Sequence, residues 1–580
     1  MGAADAALGE NFAPGSNLPG DRGASWSFLL PSLELGRIVC LGAPTNEALT
    51  ALARFGAEVV VCASRRELGK LESTARETAG VSLLATRAGE PVAIEEQSAD
   101  LVFLPRRPNR RARREVERLL GVDGTVYVEY RSFGLRRREH RHFGHLGGTQ
   151  LLWLGPAAGD VRVAAPLEDR RAVAYLERRF LAWRILRRRL LRDPLRVLQR
   201  DPFVNRVARR RGLLVHRTHS PEAAGPPRYV QTIAARAGID LAGRRWGLAA
   251  PGRYGSQKLL LFVFDGAGEA PAYLAKITRE ARHKPRLENE WRALNLLREQ
   301  GIGDDGTVPR PLFLDSHASL AVLGETAVDG VAFLERTEAS AECPYARAAV
   351  DWLLELGVRT ARRASPRAPR STEVLGALVD RFGAIYRLER HHLTFLSRQA
   401  EALAEPGRAL PFVFQHGDPG PWNVVVTAEG LPAFLDWEAA DPRGMPLWDL
   451  FHFLRSYGLT VSRAAGTRDA LRSFAEHYLD DSPLNDVLVG ATVRFCAHTG
   501  LAPDLVGPLF YLCWVHRALK EAATLPPRRL GSGRYVNILR LAIDRRDAPG
   551  LGRLFRAAEA SRERFDAAAP ARMLGATDEP

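Results

Sequence analysis

The chain is short of lysine, methionine and cysteine, and it has no long apolar run. Its longest apolar candidates, such as Leu259–Phe264, are strand-sized, which excludes a membrane-spanning helix by the usual requirement of about 18 to 20 residues. The cysteines, Cys40, Cys62, Cys343, Cys496 and Cys513, are odd in number and scattered through apolar stretches without a metal-type pair. That spacing excludes a disulfide framework and a zinc module, and it predicts buried free thiols in a reducing compartment. The first residues, MGAADAALGENFAPGS, lack a basic start and an apolar stretch, so they do not read as a signal peptide, and a cytoplasmic location is expected.

Lysine is the most telling shortage. Only Lys70, Lys258, Lys276, Lys284 and Lys520 occur, and arginine supplies the rest of a net charge of +15. A GC-rich coding sequence produces such a bias, so the basicity is partly compositional. It still creates a field attractive to nucleotides, anionic lipid or nucleic acid. No helix-turn-helix, zinc-finger or aromatic RNA-binding motif accompanies it, so no specific nucleic-acid partner is expected. Where arginine is the habitual cation, a lysine marks a position suited to a compact point charge. Three of the five lie between 258 and 284.

With 580 residues, 46% hydrophobic and 26% charged, the chain can build two or three cores. Residues 1–30 are Gly/Ala/Pro-rich and read as a flexible start. Over 31–160, strands at Arg37–Leu41, Glu58–Ala63, Val81–Ala85, Asp100–Leu104 and Thr125–Tyr130 alternate with helices such as Asn46–Phe55 and Arg113–Leu120. This is the pattern of a doubly wound parallel α/β sheet, Rossmann-like in class. Residues 161–227 read as a basic helical connector ending in the Pro/Gly-rich linker Pro221–Pro227. Its helix from Glu168 is amphipathic, with Val173, Leu176, Phe180 and Trp183 on one side and arginines around the others. Two uses are open to it: packing between domains, or peripheral contact with an anionic membrane. A second unit, α+β in class, spans 228–560, and 561–580 reads as a flexible tail.

The segment FVFQHGDPGPWNVVVTAEGLPAFLDWE carries the chemistry. An apolar strand leads into His416-Gly417-Asp418, Asn423 follows, and a strand pair turning near Glu429-Gly430 delivers Asp436. Moving a phosphoryl group from ATP to an alcohol needs a carboxylate to take or orient the hydroxyl proton, which suits Asp418. It also needs oxygen ligands for magnesium, which suits Asn423 and Asp436.

The run H-G-D-x-x-x-x-N followed by a strand pair and L-D-W-E resembles the catalytic loop of the aminoglycoside phosphotransferase and choline kinase-like enzymes, of protein kinase-like fold. His416, Asp418, Asn423, Asp436, Trp437 and Glu438 match it. The resemblance spans about 228–545 and implies a bilobal kinase domain. It implies Asp418 as catalytic base, Asn423 and Asp436 as magnesium ligands, His416 as scaffold of the loop and Asp449 as its brace. It further implies Lys276, in AYLAKITR, as the lysine on the nucleotide phosphates, with Glu290 as ion-pair partner and Glu288 as alternative. PGRYGSQK would cover the phosphates, placing Gly252, Gly255 and Ser256 at ATP, and backbone near Gly324–Thr326, with Glu325, would contact adenine. The expected enzyme is an ATP- and magnesium-dependent kinase acting on a hydroxyl of a sugar, amino sugar or amino alcohol. The alternatives are a non-catalytic scaffold or adaptor, and a bifunctional protein with an active methyltransferase half. Acidic residues after the loop (Glu438, Asp441, Glu476, Asp480, Asp481) would hold a cationic acceptor or be solvated surface.

The amino-terminal pattern resembles class I methyltransferases that use S-adenosylmethionine (SAM), chiefly in SADLVFLP and VERLLGVDGTVYVEY. It departs from them at the cofactor loop, VCLGAPTN, and at Ser64-Arg65, where a carboxylate for the ribose is expected. The reading is a methyltransferase-like fold that has lost SAM binding.

Overall fold

Alternation of apolar side chains sets the architecture of the first half. The computed structural model describes residues 25–87, 90–132, 143, 145–154, 163–180, 209–217, 225–250, 257–266, 268–363, 371–404 and 410–557. Contacts divide these into two units, 25–291 with 310–327, and 292–309 with 328–557.

In the first unit β1 (Leu35–Leu41), β2 (Gly56–Ala63), β3 (Val81–Ala85), β4 (Ala99–Leu104) and β5 (Leu120–Ser132) pair in parallel in the order β3-β2-β1-β4-β5. Successive residues face opposite sides, so Ile38, Cys40, Val59, Val61, Leu101 and Phe103 enter one core and Val39, Val60, Val102 and Leu104 the other. Helix α1 (Asn46–Phe55) buries Leu49 and Leu52 in the first core, and α2 (Arg110–Leu119) buries Val116 and Leu119 in the second. Both faces are covered, as a parallel sheet requires.

The sheet continues past β5. β6 (Gly148–Leu154), β7 (Val163–Pro166), β8 (Arg209–His216), β9 (Arg245–Ala249), β10 (Lys258–Phe264), β11 (Pro271–Thr278), β12 (Pro311–His317) and β13 (Leu320–Thr326) extend it antiparallel to thirteen strands, ordered β12-β13-β11-β10-β9-β7-β6-β8-β5-β4-β1-β2-β3. The reading of 161–227 as a helical connector missed β7 and β8. Arginines at 209–211 mask a strand whose Leu213, Leu214 and Val215 are buried between β5 and β6. Helix α3 (Arg170–Phe180) keeps part of the basic helix, and the expected remainder from 181 lies outside the described residues. Leu176 is buried against the sheet, where Gly247 leaves it room, and Tyr175 and Phe180 contact Phe262. The apolar side of α3 is thus occupied within the protein. Residues 25–30, inside the stretch read as flexible, are buried, with Trp26 stacked 3.8 Å from Tyr127.

The second unit is mainly helical. The carboxyl-terminal half of α4 (Lys284–Glu299), α5 (Pro344–Thr360), α6 (Trp448–Ala464), α7 (Val506–Ala522) and α8 (Arg534–Asp544) enclose one core, with α7 buried along most of its length. Two small sheets lie in it. One runs β14 (Val331–Ala332), β17 (Val424–Val426), β18 (Pro432–Phe434); the other runs β15 (Arg362–Arg363), β16 (Pro411–Gln415), β19 (Asp441–Gly444). All five cysteines are free and buried, as expected. Among the described residues no helix is long and apolar enough to cross a membrane.

Candidate functional site

The loop after β16 is built around its own backbone. Gly417 has φ of 78°, and a Cβ there would meet the Ala439 carbonyl oxygen at 2.1 Å, so the turn requires glycine. His416 is fully buried. Its Nδ1 takes the Asp418 N–H at 3.3 Å, which puts the proton on Nε2, 3.0 Å from the Leu435 carbonyl. Asp449, in the first turn of α6, accepts the backbone N–H groups of His416 at 2.6 Å and Gly417 at 3.1 Å. Burial lifts the Asp449 pKa, and nearby His416 and the two amides offset only part of that rise.

These bonds present Asp418 half-buried, with both oxygens contacted. Oδ1 lies 3.0 Å from Arg517 Nη2 and 3.2 Å from His452 Nε2; Oδ2 lies 3.3 Å from Trp422 Nε1 and 3.4 Å from Asn423 Nδ2. Burial would raise its pKa, but the hydrogen bond from His452 and the charge of Arg517 outweigh burial and hold it well below the ordinary carboxylate range. Burial and the neighbouring Arg517 push the His452 imidazole down to about 3, so it is neutral at pH 7. Arg517 also donates to the Gly417 carbonyl at 2.8 Å, and Lys520 to the same oxygen at 3.2 Å.

The β17–β18 hairpin positions the remaining pair. Val424 pairs with Phe434, and the Leu435 N–H reaches the Asn423 carbonyl at 2.8 Å. Asn423 and Asp436 therefore sit at the open end of one hairpin. Asp436 adopts the left-handed conformation (φ 70°), unusual for a non-glycine residue and a feature that recurs at functional sites. Asn423 Nδ2 also donates to the Asp418 carbonyl at 3.0 Å, leaving its amide oxygen as the atom offered.

In the other unit Lys276, on β11, is buried. Its Nζ lies 2.6 Å from Glu290 and 2.8 Å from Glu325, and Lys258 Nζ lies 3.7 Å from Glu290. Glu290 is the partner, as expected; the alternative, Glu288, pairs with Lys284 at 3.7 Å on the surface. Glu325, expected near adenine through its backbone, has its side chain at Lys276, while its segment is paired on both sides in the sheet. Burial, chiefly, raises its pKa to about 7 despite Lys276. Gly252, Gly255 and Ser256 lie outside the described residues.

Of the five acidic residues considered for a cationic acceptor, Asp480 pairs with Arg545 and Asp481 with Arg553, while Glu476 takes a hydrogen bond from Ser462. His452, Arg455, Ser456, Arg517 and Lys520 were missed. The signal was present: in WDLFHFLRS, Asp449, His452 and Ser456 recur at helical spacing through an otherwise apolar helix, and Arg517 and Lys520 do so in WVHRALK. Glu67, the first acidic residue after Ser64-Arg65 in the chain, bonds Ser64 Oγ at 2.7 Å and Arg106 at 2.7 Å, so this carboxylate is engaged by the protein itself.

Residues 261–482 match the model of a family described as the phosphotransferase enzyme family. This bears out the resemblance read from the loop and the kinase-like phosphotransferase fold of mixed α/β content expected for this segment. No curated protein matches the chain. Among solved structures, similar chains include an aminoglycoside phosphotransferase from Streptomyces rimosus, 19% identical, covering 51% of this chain and 98% of its own at a TM-score of 0.30. A choline kinase from Streptococcus pneumoniae is 12% identical, covering 51% and 93% at 0.29. A Pseudomonas syringae protein described as a methyltransferase is 15% identical, covering 18% and 68% at 0.16.

Proposed function

We propose that the chain is an ATP- and magnesium-dependent phosphotransferase acting on a hydroxyl of a small molecule, with Asp418 as catalytic base. The observation that carries this is the loop at Asp418. Its backbone is held by His416 and Asp449, while its carboxylate is aimed by Asn423, His452 and Arg517. Asn423 and Asp436 fit magnesium, since an amide and a carboxylate oxygen at one hairpin end are hard ligands for a hard cation. The metal would supply neutralisation of charge on the phosphates. Lys276, oriented by Glu290, would hold the phosphates.

The acceptor oxygen bonds to the γ-phosphorus, the bond to the bridging oxygen breaks, ADP leaves, and the hydroxyl proton passes to Asp418. A carboxylate held far below its usual pKa is a weak base, which suits a loose transition state in which the proton leaves late. Asp418 then works mainly by orienting the hydroxyl.

Magnesium-dependent ADP release tests the reading across sugars, amino sugars and amino alcohols. Asp418→Asn should lower turnover by about 10²–10⁴-fold with ATP affinity within about twofold, by calorimetry. Wild-type turnover in Asp418→Asn would remove it as the base. Failure of the wild-type protein to bind magnesium-ATP would favour the scaffold reading.

A further inference from the structure

Beside Asp418 lies a second set of polar groups that meets the transfer machinery only at Arg517. Arg455, one turn beyond His452 on α6, is only 4% exposed, and among the described residues no carboxylate lies within ion-pairing reach of it. Its Nη2 is buried without a hydrogen-bond partner, as are Ser456 Oγ next to it and Arg517 Nε on α7. The guanidinium groups of Arg455 and Arg517 share one neighbour, the ring of Tyr535 on α8, at 5.1 and 5.4 Å from its centroid. Burial, together with the charges of Arg534 and Arg517, lowers the Arg455 pKa. Two guanidinium groups packed against one ring, one of them buried without a counter-ion, are costly unless an anion completes the set. Arg517 links that set to the chemistry, because the same side chain touches Asp418.

We propose that Arg455 and Arg517, with Ser456 and Tyr535, form a subsite for an anionic group of the acceptor, so that the molecule phosphorylated at Asp418 carries a phosphate or a carboxylate. This rests on the phosphotransferase reading and narrows its acceptor class. Guanidinium groups pair with either anion through charge-assisted bonds, and Ser456 adds a neutral donor. A cationic amino sugar is disfavoured on the same ground, since it would bring a like charge toward Arg517. Two of the five acidic side chains considered for it, Asp480 and Asp481, are paired with Arg545 and Arg553.

The test measures magnesium-dependent ADP release with four hexoses differing in one substituent: neutral, phosphorylated, carboxylated and amino. The phosphorylated or the carboxylated hexose should exceed the neutral one in kcat/KM by about tenfold or more, with the amino hexose lowest, and the two anionic arms show which group is read. In Arg455→Gln the advantage should collapse to within about twofold while the KM for ATP stays within about twofold; Arg455→Lys should restore part of the preference. Melting in inorganic phosphate against chloride at matched ionic strength gives a readout independent of turnover. Phosphate should raise the wild-type Tm and leave Arg455→Gln unmoved. Preference for the neutral or amino hexose overturns the inference, and so does an equal rise in the KM for ATP, which would assign these cations to the nucleotide. An equal phosphate shift in both proteins overturns it as well. ADP release from no acceptor, with the phosphate shift still lost in Arg455→Gln, would sink the kinase reading and leave the anion subsite standing.

Discussion

Lys276 shows how a few buried charges make one residue sensitive to pH. It sits between Glu290 and Glu325, and Glu325 is lifted from 4.5 to about 7, chiefly by burial. The folded protein therefore keeps a proton on Glu325 that the unfolded chain gives up near pH 4.5. The stability this contributes is whole below about pH 4.5 and is lost as pH rises to about 7. Urea midpoints across that range should show the decline in the wild type and a flatter profile in Glu325→Gln. A decline unchanged by the substitution would place its origin elsewhere. The scarcity of lysine proved informative at this scale. Lys258, Lys276 and Lys520 contact residues of the two candidate clusters, whereas Lys284 makes a surface pair with Glu288.

Elements, rather than single residues, hold the catalytic loop. The start of α6 delivers Asp449 to the His416 and Gly417 amides, and Asp449→Ala would strand both. Each orphaned buried amide costs about 1–3 kcal/mol, so Asp449→Ala should lower stability by more than Asp449→Asn, which keeps one acceptor oxygen. Equal denaturation midpoints for the two variants would show that the brace carries little. The difference between legible and illegible parts has a physical cause here. His416, Asp418, Asn423 and Asp436 are close in sequence, because one strand, one turn and one hairpin present them, so spacing alone exposes them. His452 and Arg517 reach Asp418 across 34 and 99 residues, by the packing of α6 and α7, which a motif cannot encode. The parallel strands β1 to β5 were legible because both their faces are apolar. β8 was not, since its first three residues are arginines.

At the scale of the chain, the thirteen-stranded sheet decides where the protein can be cut. β7 pairs with β9 through Val163 with Ala249 and Ala164 with Leu248, while Tyr175 and Phe180 of α3 cover Phe262. A chain begun at 228 would lose β7 and α3, baring the β9 edge and the Phe262 ring. It should elute as aggregate in size-exclusion chromatography and lack the melting transition of the full chain, although it keeps the whole matched segment 261–482. A monodisperse species with an unchanged transition would show that the strand pairing is dispensable.

The same sheet, long as it is, has only two open sides among the described strands, β3 and β12. β12 is guarded: Pro311 begins it, and Asp315 carries a charge paired with Arg236 at 2.9 Å. β3, reading Val81-Ser82-Leu83-Leu84-Ala85, has neither proline nor charge. Misassembly of crowded or half-denatured molecules should therefore begin at β3, and a lysine placed at Ser82 would be the smallest change to blunt it.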